Sequence, residues 1–396
     1  MAFSMKPDQA IRILNTVPSA TVSIADAVNK LKRAGHRVLD FSAGRAVEHT
    51  PAYICDAASR AIQSGDTHQT IAQGTPEFRQ ACARKLKRDN DLEINPDTEL
   101  IATLGCKQGL MLALMSTINP GDEVLVEDPA FVSYEPVIRF CGGRAVPVPL
   151  RAENKFRWSR DDLASAVTSR TKAILYCSPQ NPTGVVHSAH DLGEIADIAT
   201  TNNLWVFADE TYERVTWDGR KHLCIAGLPG MAERTVGIMG LTKSFSMGGW
   251  RIGFSYAPPS LIDAMLIAQQ HLVTCAGSFT QSGAATALGD SYPDSVLNLW
   301  AEWQERCRYV TDAVDRLPGM SCRMPEGGFY AWIDIRETGW KSEELADYLL
   351  ADRQIALVPG SAFGPHGEGY LRMTCVKSRE DLSEAIRQLS IPFPDS

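Results

Sequence analysis

The sequence predicts an α/β protein: a mostly parallel sheet covered by helices on both faces, followed by a smaller α+β unit. Three observations predict it. Between about residue 50 and residue 285, short and nearly unbroken apolar runs alternate with capped helical segments. After about residue 290 the order changes to one long amphipathic helix and two separated strands. The residues with unusual chemistry gather in the loops that follow the apolar runs, which is where open α/β sheets bind ligands.

Taken in order, "TPAYICDAASRAIQSG" reads as a helix with Thr50 as N-cap, Pro51 at the first helical position and a stop at Gly65. "TPEFRQACARKLKRDN" repeats that grammar with Thr75 and Pro76. "ELIATLG" is a strand that runs straight into the helical "CKQGLMLALMSTI" and the turn "NPGD". "EVLVED", "KAILYC", "LWVFAD" and "RTVGIMG" have the continuous apolar character of strands buried on both faces. Helices such as "SRDDLASAV" and "SAHDLGEIADIATTNN" lie between them and imply right-handed crossovers. The C-terminal part opens with "SVLNLWAEWQERCRYVTDAVDRL" and continues with the strands "GGFYAWIDI" and "GYLRMTC". The expected division is an N-terminal arm over 1–48 that joins the small unit, a large domain over 49–288 and a small domain over 289–396. The cleft between the domains is the natural site.

Composition narrows the function. The chain has 396 residues, 44% of them apolar and 22% charged, as in ordinary globular proteins. A net charge of −8 leaves no basic footprint for nucleic acid. No apolar run approaches a membrane span, and "MAFSMKPDQAIRILN" lacks the pattern of a signal peptide. The ten cysteines include no C-x-x-C pair and mostly sit in apolar segments, as buried free thiols do in a reducing compartment. The expectation is a cytoplasmic enzyme without a metal site.

Three strand-end loops and one further stretch carry the chemistry. In "TLGCKQG", Gly105 ends a strand while Cys106 and Lys107 open a helix whose free N–H groups suit a phosphate. A plain strand–helix turn would read the same. In "SPQNPTG", two prolines stiffen the loop around Asn181, whose amide can donate to a ligand oxygen. In "FADETYERV", Asp209 ends an apolar strand, where a carboxylate is costly to bury without a partner. A protonated pyridine nitrogen is one such partner, and an N-cap or a buried ion pair are the common alternatives. Tyr212 lies three residues on. "GLTKSFSMGGWRIGF" holds Lys243, the residue type that forms a stable imine with an aldehyde, and Arg251, the best clamp for a phosphate. Gly248 and Gly249 between them allow close backbone approach. An aldehyde and a phosphate on one small molecule describe pyridoxal phosphate.

These residues resemble the fold-type I, class I and II pyridoxal-phosphate aminotransferases over nearly the whole chain. The resemblance rests on "PGDEVLVEDPAFVSY", "NPTG", "DETYE", "TKSFSMGGWRIG", "GGFYAWID" and "YLRMT". It implies that Lys243 binds the cofactor aldehyde and shuttles a proton at Cα, and that Asp209 pairs with the ring nitrogen. Asn181 and Tyr212 would bond the ring 3-oxygen, and Phe131 would stack on the ring. Gly105, Cys106, Lys107, Thr242 and Arg251 would surround the phosphate. Arg372, helped by the Gly44 backbone, would take the substrate α-carboxylate. The implied reaction moves an amino group between an amino acid and a 2-oxo acid, in a homodimer with shared active sites. Three positions depart from the pattern. Gln69 stands where a tyrosine is frequent, Gly240 where a serine is frequent, and "GRAVE" replaces "GEPDF", bringing in Arg45. They keep open a second reading, a non-transaminating enzyme of the same fold that eliminates, replaces or forms carbon–carbon bonds, for example on S-adenosylmethionine. A cofactor-sensing regulator would need an added DNA-binding module, for which these segments leave no room.

Overall fold

The computed structural model describes residues 18–393 and, ahead of them, Ile13 and Thr16. Helix α1 (Ala20–Arg33) and strand β1 (Leu39–Asp40) precede helices α2 (Ala52–Gln63) and α3 (Pro76–Asn90). The alternating stretch forms β2 (Leu100–Thr103), α4 (Cys106–Thr117), β3 (Glu123–Asp128), α5 (Tyr134–Phe140) and β4 (Arg144–Pro149). It continues with α6 (Arg160–Ala166), β5 (Thr171–Cys177), α7 (Ala189–Thr201), β6 (Trp205–Asp209), β7 (Thr235–Gly240) and β8 (Gly253–Tyr256). Helices α8 (Pro259–Leu272), α9 (Ser278–Ala287) and α10 (Asp294–Val314) lead out of it. The C-terminal part holds β9 (Ser321–Cys322), β10 (Tyr330–Asp334), α11 (Ser342–Asp352), β11 (Ile355–Ala356), β12 (Val358–Pro359), β13 (Tyr370–Thr374) and α12 (Arg379–Leu389).

Seven strands make the central sheet in the order β2-β8-β7-β6-β5-β3-β4. Only β8 runs against its neighbours, so the sheet is mostly parallel as the apolar runs imply. The carboxyl ends of β2, β3, β5, β6 and β7 therefore open on one edge, and the loops that follow them converge there. A second, antiparallel sheet runs β12-β13-β10-β9. Strand β1 pairs in parallel with β11, which ties the N-terminal segment to the C-terminal part.

Local chemistry explains most boundaries. Thr75 caps α3 by accepting from the Phe78 N–H at 3.3 Å, with Pro76 at the first turn, and Asp91 ends the helix at φ 54°. Ser188 and Asp191 form a reciprocal capping box on α7. Thr50 does not cap α2. Pro51 is the flanking residue, and the Thr50 hydroxyl instead donates to the Ser246 carbonyl and accepts from the Trp250 indole. A long-range partner outcompetes the local cap and ties α2 to the loop that carries Lys243. Strand β4 is absent from the expectation because "RAVPVP" contains two prolines; it lies at the sheet edge, where a missing N–H is tolerated.

Packing is tight where β7 meets β8. A Cβ at Gly237 would stand 2.0 Å from ring atoms of Tyr256, whose hydroxyl donates to buried Glu210 at 2.8 Å. Gly237→Ala is expected to lower the unfolding free energy by about 1–3 kcal/mol, as overpacking of a filled core does. Urea denaturation at fixed protein concentration measures it, and an unchanged midpoint would contradict the packing described.

Candidate active site

A cavity of about 400 Å³ lies at the carboxyl edge of the central sheet, between it and β10 and β13. Gly44, Cys106, Lys107, Phe131, Asn181, Asp209, Tyr212, Thr242, Lys243, Arg251 and Arg372 all line it. Gly105 stands just behind, at the start of α4 with φ 82°, and a Cβ there would meet the Arg251 guanidinium at 2.8 Å. The missing side chain lets Arg251 lie against the helix start, where it donates to the Leu104 and Gly248 carbonyls. Arg251, Lys107 and the free amides of α4 thus give one end of the cavity a positive character. Burial, with Arg251 nearby, pulls the Lys107 ammonium below its ordinary pKa.

Cys106 lines the cavity as a half-buried thiol. Its sulfur contacts the Thr211 hydroxyl at 3.1 Å, and burial, with Asp209 adding to it, pushes its pKa up to about 12. A Cβ at Gly240 would stand 2.5 Å from that sulfur, so the glycine and the cysteine share one volume.

Asp209 closes β6 at the cavity floor, 8% exposed. It accepts from the Tyr134 hydroxyl at 2.8 Å and the Thr211 N–H at 3.2 Å, with no basic partner among the described residues. Burial raises its pKa from the ordinary 3.8 to about 6, against the opposing Tyr134 hydrogen bond. Behind it, Glu210, His222 and Cys224 form a buried polar group: the His222 Nε2 lies 3.1 Å from the Glu210 carboxylate.

Lys243 donates to the Gly44 carbonyl at 2.7 Å and has no carboxylate partner among the described residues. The buried Lys85, by contrast, is bound to Glu213 at 2.8 Å and is spoken for. Gly44 is required: a Cβ there would fall 1.8 Å from the Tyr330 hydroxyl. Arg372 is 2% exposed and, among the described residues, bound only by neutral acceptors, the Asn181 amide oxygen at 2.9 Å and the Ser42 carbonyl at 2.6 Å. Its Nε has no acceptor among the described residues, and its guanidinium lies 4.2 Å from the Tyr330 ring centroid.

Tyr134 and Tyr330 also belong to this site, although the sequence reading gave neither a role. Tyr330 bonds the Tyr212 hydroxyl at 2.9 Å. Burial would raise the Tyr330 pKa, but Lys243, Arg372 and the Tyr212 hydrogen bond outweigh it and hold the phenol below its ordinary value. Tyr212 is pushed up, mainly by burial. The two tyrosines sit within quoted motifs, and only the long-range pairing of β10 with β13 reveals what Tyr330 faces. Arg45 and Gln69 do not line this cavity.

The loops at the carboxyl edge of the central sheet bring Lys243 and the buried Asp209 carboxylate together with Arg372 of β13, an arginine without an ion pair among the described residues, and so define a transferase site of the cofactor-dependent kind. The family model "Aminotransferase class I and II" matches residues 36–389. An aspartate aminotransferase of Pyrococcus abyssi is 39% identical over 89% of this chain and 90% of its own. An aromatic-amino-acid aminotransferase of Thermococcus litoralis is 36% identical over 89% of this chain and 90% of its own. The solved aspartate aminotransferase of Rhizobium meliloti superimposes with a TM-score of 0.92 at 32% identity, covering 97% of this chain and 98% of that one. The chain belongs to the class I and II aminotransferases and has the fold-type I architecture of its solved neighbours. The non-transaminating alternative is not favoured by these relatives.

The Asp209 environment gives a pH prediction for the cofactor-free protein. Between pH 3.8 and about 6 the native carboxyl keeps a proton that the unfolded one has lost. Stability from this group is therefore present at low pH and is lost as pH rises through about 6. The rise corresponds to about 3 kcal/mol. Asp209→Asn should be more stable than the parent at pH 7, with the difference vanishing toward pH 4. Denaturation curves across that range check it, and a pH-independent difference would count against the burial argument.

Proposed function

We propose that the cavity holds pyridoxal phosphate and uses it to move an amino group from an amino acid to a 2-oxo acid. The observation that carries this is the convergence of Lys243 and Arg372, neither with a carboxylate partner among the described residues, on one cavity floored by the buried carboxyl of Asp209. The residues suit the group. The α4 amides at Cys106 and Lys107, with Thr242 and Arg251, are a phosphate cradle. Asp209 is an acid for a ring nitrogen. Asn181 and Tyr212 face a ring oxygen, and Phe131 offers a stacking surface.

When bound, the cofactor supplies an electron sink for the pair left at Cα after proton loss. The chain does the rest. Lys243 would be the base that moves a proton between the substrate Cα and the cofactor's aldehyde carbon, two bonds away across the nitrogen. Asp209, whose ionised form a neighbouring cation would favour, would hold a proton on the ring nitrogen. Arg372 grips the substrate α-carboxylate as a fork, and this orientation decides which Cα bond breaks. With its oxygen engaged by Arg372, the Asn181 amide is left to donate through nitrogen. The two half-reactions share this machinery, the first releasing a 2-oxo acid and the second consuming another.

The donor range is read from the relatives' names, aspartate and aromatic amino acids. The fold division at 48/49 and 288/289, a homodimer with shared sites and a cytoplasmic location complete the proposal. Among the described residues no helix is long and apolar enough to cross a membrane.

Lys243→Ala is expected to lose turnover by about 10³-fold or more while retaining cofactor. Arg372→Met should raise KM for the amino donor by about 100-fold with a smaller change in kcat. Asp209→Ala should bind cofactor more weakly and turn over far more slowly. Steady-state assays with and without a 2-oxo acid acceptor, with product analysis, decide the matter. Product formed independently of the acceptor would overturn the transaminase reading.

A further inference from the structure

A second cavity, of about 300 Å³, lies between the loop after β4, the loop after Asn181 and the outer part of the small sheet. Thr183 and Gly184 line it, whereas Asn181 lines the first cavity, so the two lie on opposite ends of one short loop. Its floor is aromatic. Trp332 and Tyr370 stack at 5.0 Å with ring planes 2° apart, and Phe156 meets the Tyr370 ring edge-on at 5.4 Å. Trp332 is 6% exposed, and its indole N–H has no acceptor among the described residues. A buried donor left unbonded costs free energy that a ligand acceptor would recover.

The charges around this floor are unbalanced. Glu326 is already held by two hydrogen bonds from Arg157, at 2.8 and 2.7 Å. Asp334 is held by Arg336, whose guanidinium also lies 5.3 Å from the Tyr370 centroid. Lys155 and Arg323 are exposed at the cavity and make no ion pair among the described residues. Both lining carboxylates are thus paired, whereas Lys155 and Arg323 are not; the exposed Glu153 carboxylate, from the same loop as Lys155, acts on Arg336 and Tyr370. Lys155 and Phe156 both hold left-handed backbone angles, φ 54° and 58°, which turns the exposed cation and the aromatic ring onto the same cavity.

We propose that this cavity is a binding site for a small aromatic carboxylate, separate from the reacting centre. The apolar body packs against the margins of Trp332, Tyr370 and Phe156 that line the cavity, and the carboxylate meets Lys155 and Arg323. A cavity of this size sits at the small end of ligand pockets and suits a single-ring acid rather than a nucleotide.

Isothermal titration of the cofactor-loaded protein with 3-phenylpropionate tests it. Because a carboxylate can also meet Arg372, the titration is run on the parent and on Arg372→Met. Binding is expected to survive Arg372→Met. It should weaken by about tenfold or more when Lys155→Ala and Arg323→Ala are combined, two exposed changes that leave the fold and the reacting centre alone. The uncharged 3-phenylpropanol should bind Arg372→Met about tenfold more weakly than the acid does. Binding that disappears with Arg372→Met in a protein that remains folded by circular dichroism would overturn the proposal. So would an isotherm unchanged by the double substitution, or equal affinity for acid and alcohol.

Discussion

A guanidinium held away from water by neutral acceptors alone is the constraint on which the site depends. Arg372 reaches back to the carbonyl of Ser42 and across to the amide of Asn181, joining three stretches far apart in sequence. Removing such a charge from water without an anion costs several kcal/mol. The aromatic faces of Tyr330 and Phe363, at 4.2 and 4.9 Å, return part of that. The remainder is an attraction for any carboxylate that enters, already oriented because the fork is fixed from two sides. The same knot draws the N-terminal segment and the small sheet onto the loop that follows β5.

The opposite charge is handled in the reverse way. Asp209 is buried with two hydrogen-bond donors and, among the described residues, no cation, so burial raises its pKa to about 6 and leaves it suited to a positively charged partner. Between these poles stands Lys243, resting on a backbone carbonyl. The two tyrosines at 212 and 330 share a hydrogen bond there; burial dominates at Tyr212 and pushes it up, while Lys243, Arg372 and that hydrogen bond outweigh burial at Tyr330 and hold it down.

The central sheet was legible because its strands are covered on both faces, which leaves runs such as "LWVFAD" without polar relief. Thr75 was legible because its cap is local. Thr50 was not, since its partners Ser246 and Trp250 lie about two hundred residues away. Strand β4 was hidden by prolines that only an edge position permits. The residues at strand ends announced themselves by chemistry out of keeping with their surroundings: a carboxylate after an apolar run, a lysine among small residues. Tyr134 and Tyr330 gave no such contrast, because an aromatic in an apolar segment is ordinary core until the tertiary fold sets it against a charge.

The shared volume of Gly240 and Cys106 bears on substitution at both positions. A serine at position 240 requires the Cys106 sulfur to leave the space its Cβ would need. The sulfur can leave by rotating away from Thr211, which gives up their 3.1 Å contact, or by replacement with a smaller side chain, so what stands at position 240 and the hydrogen bonding of Thr211 are tied to one another.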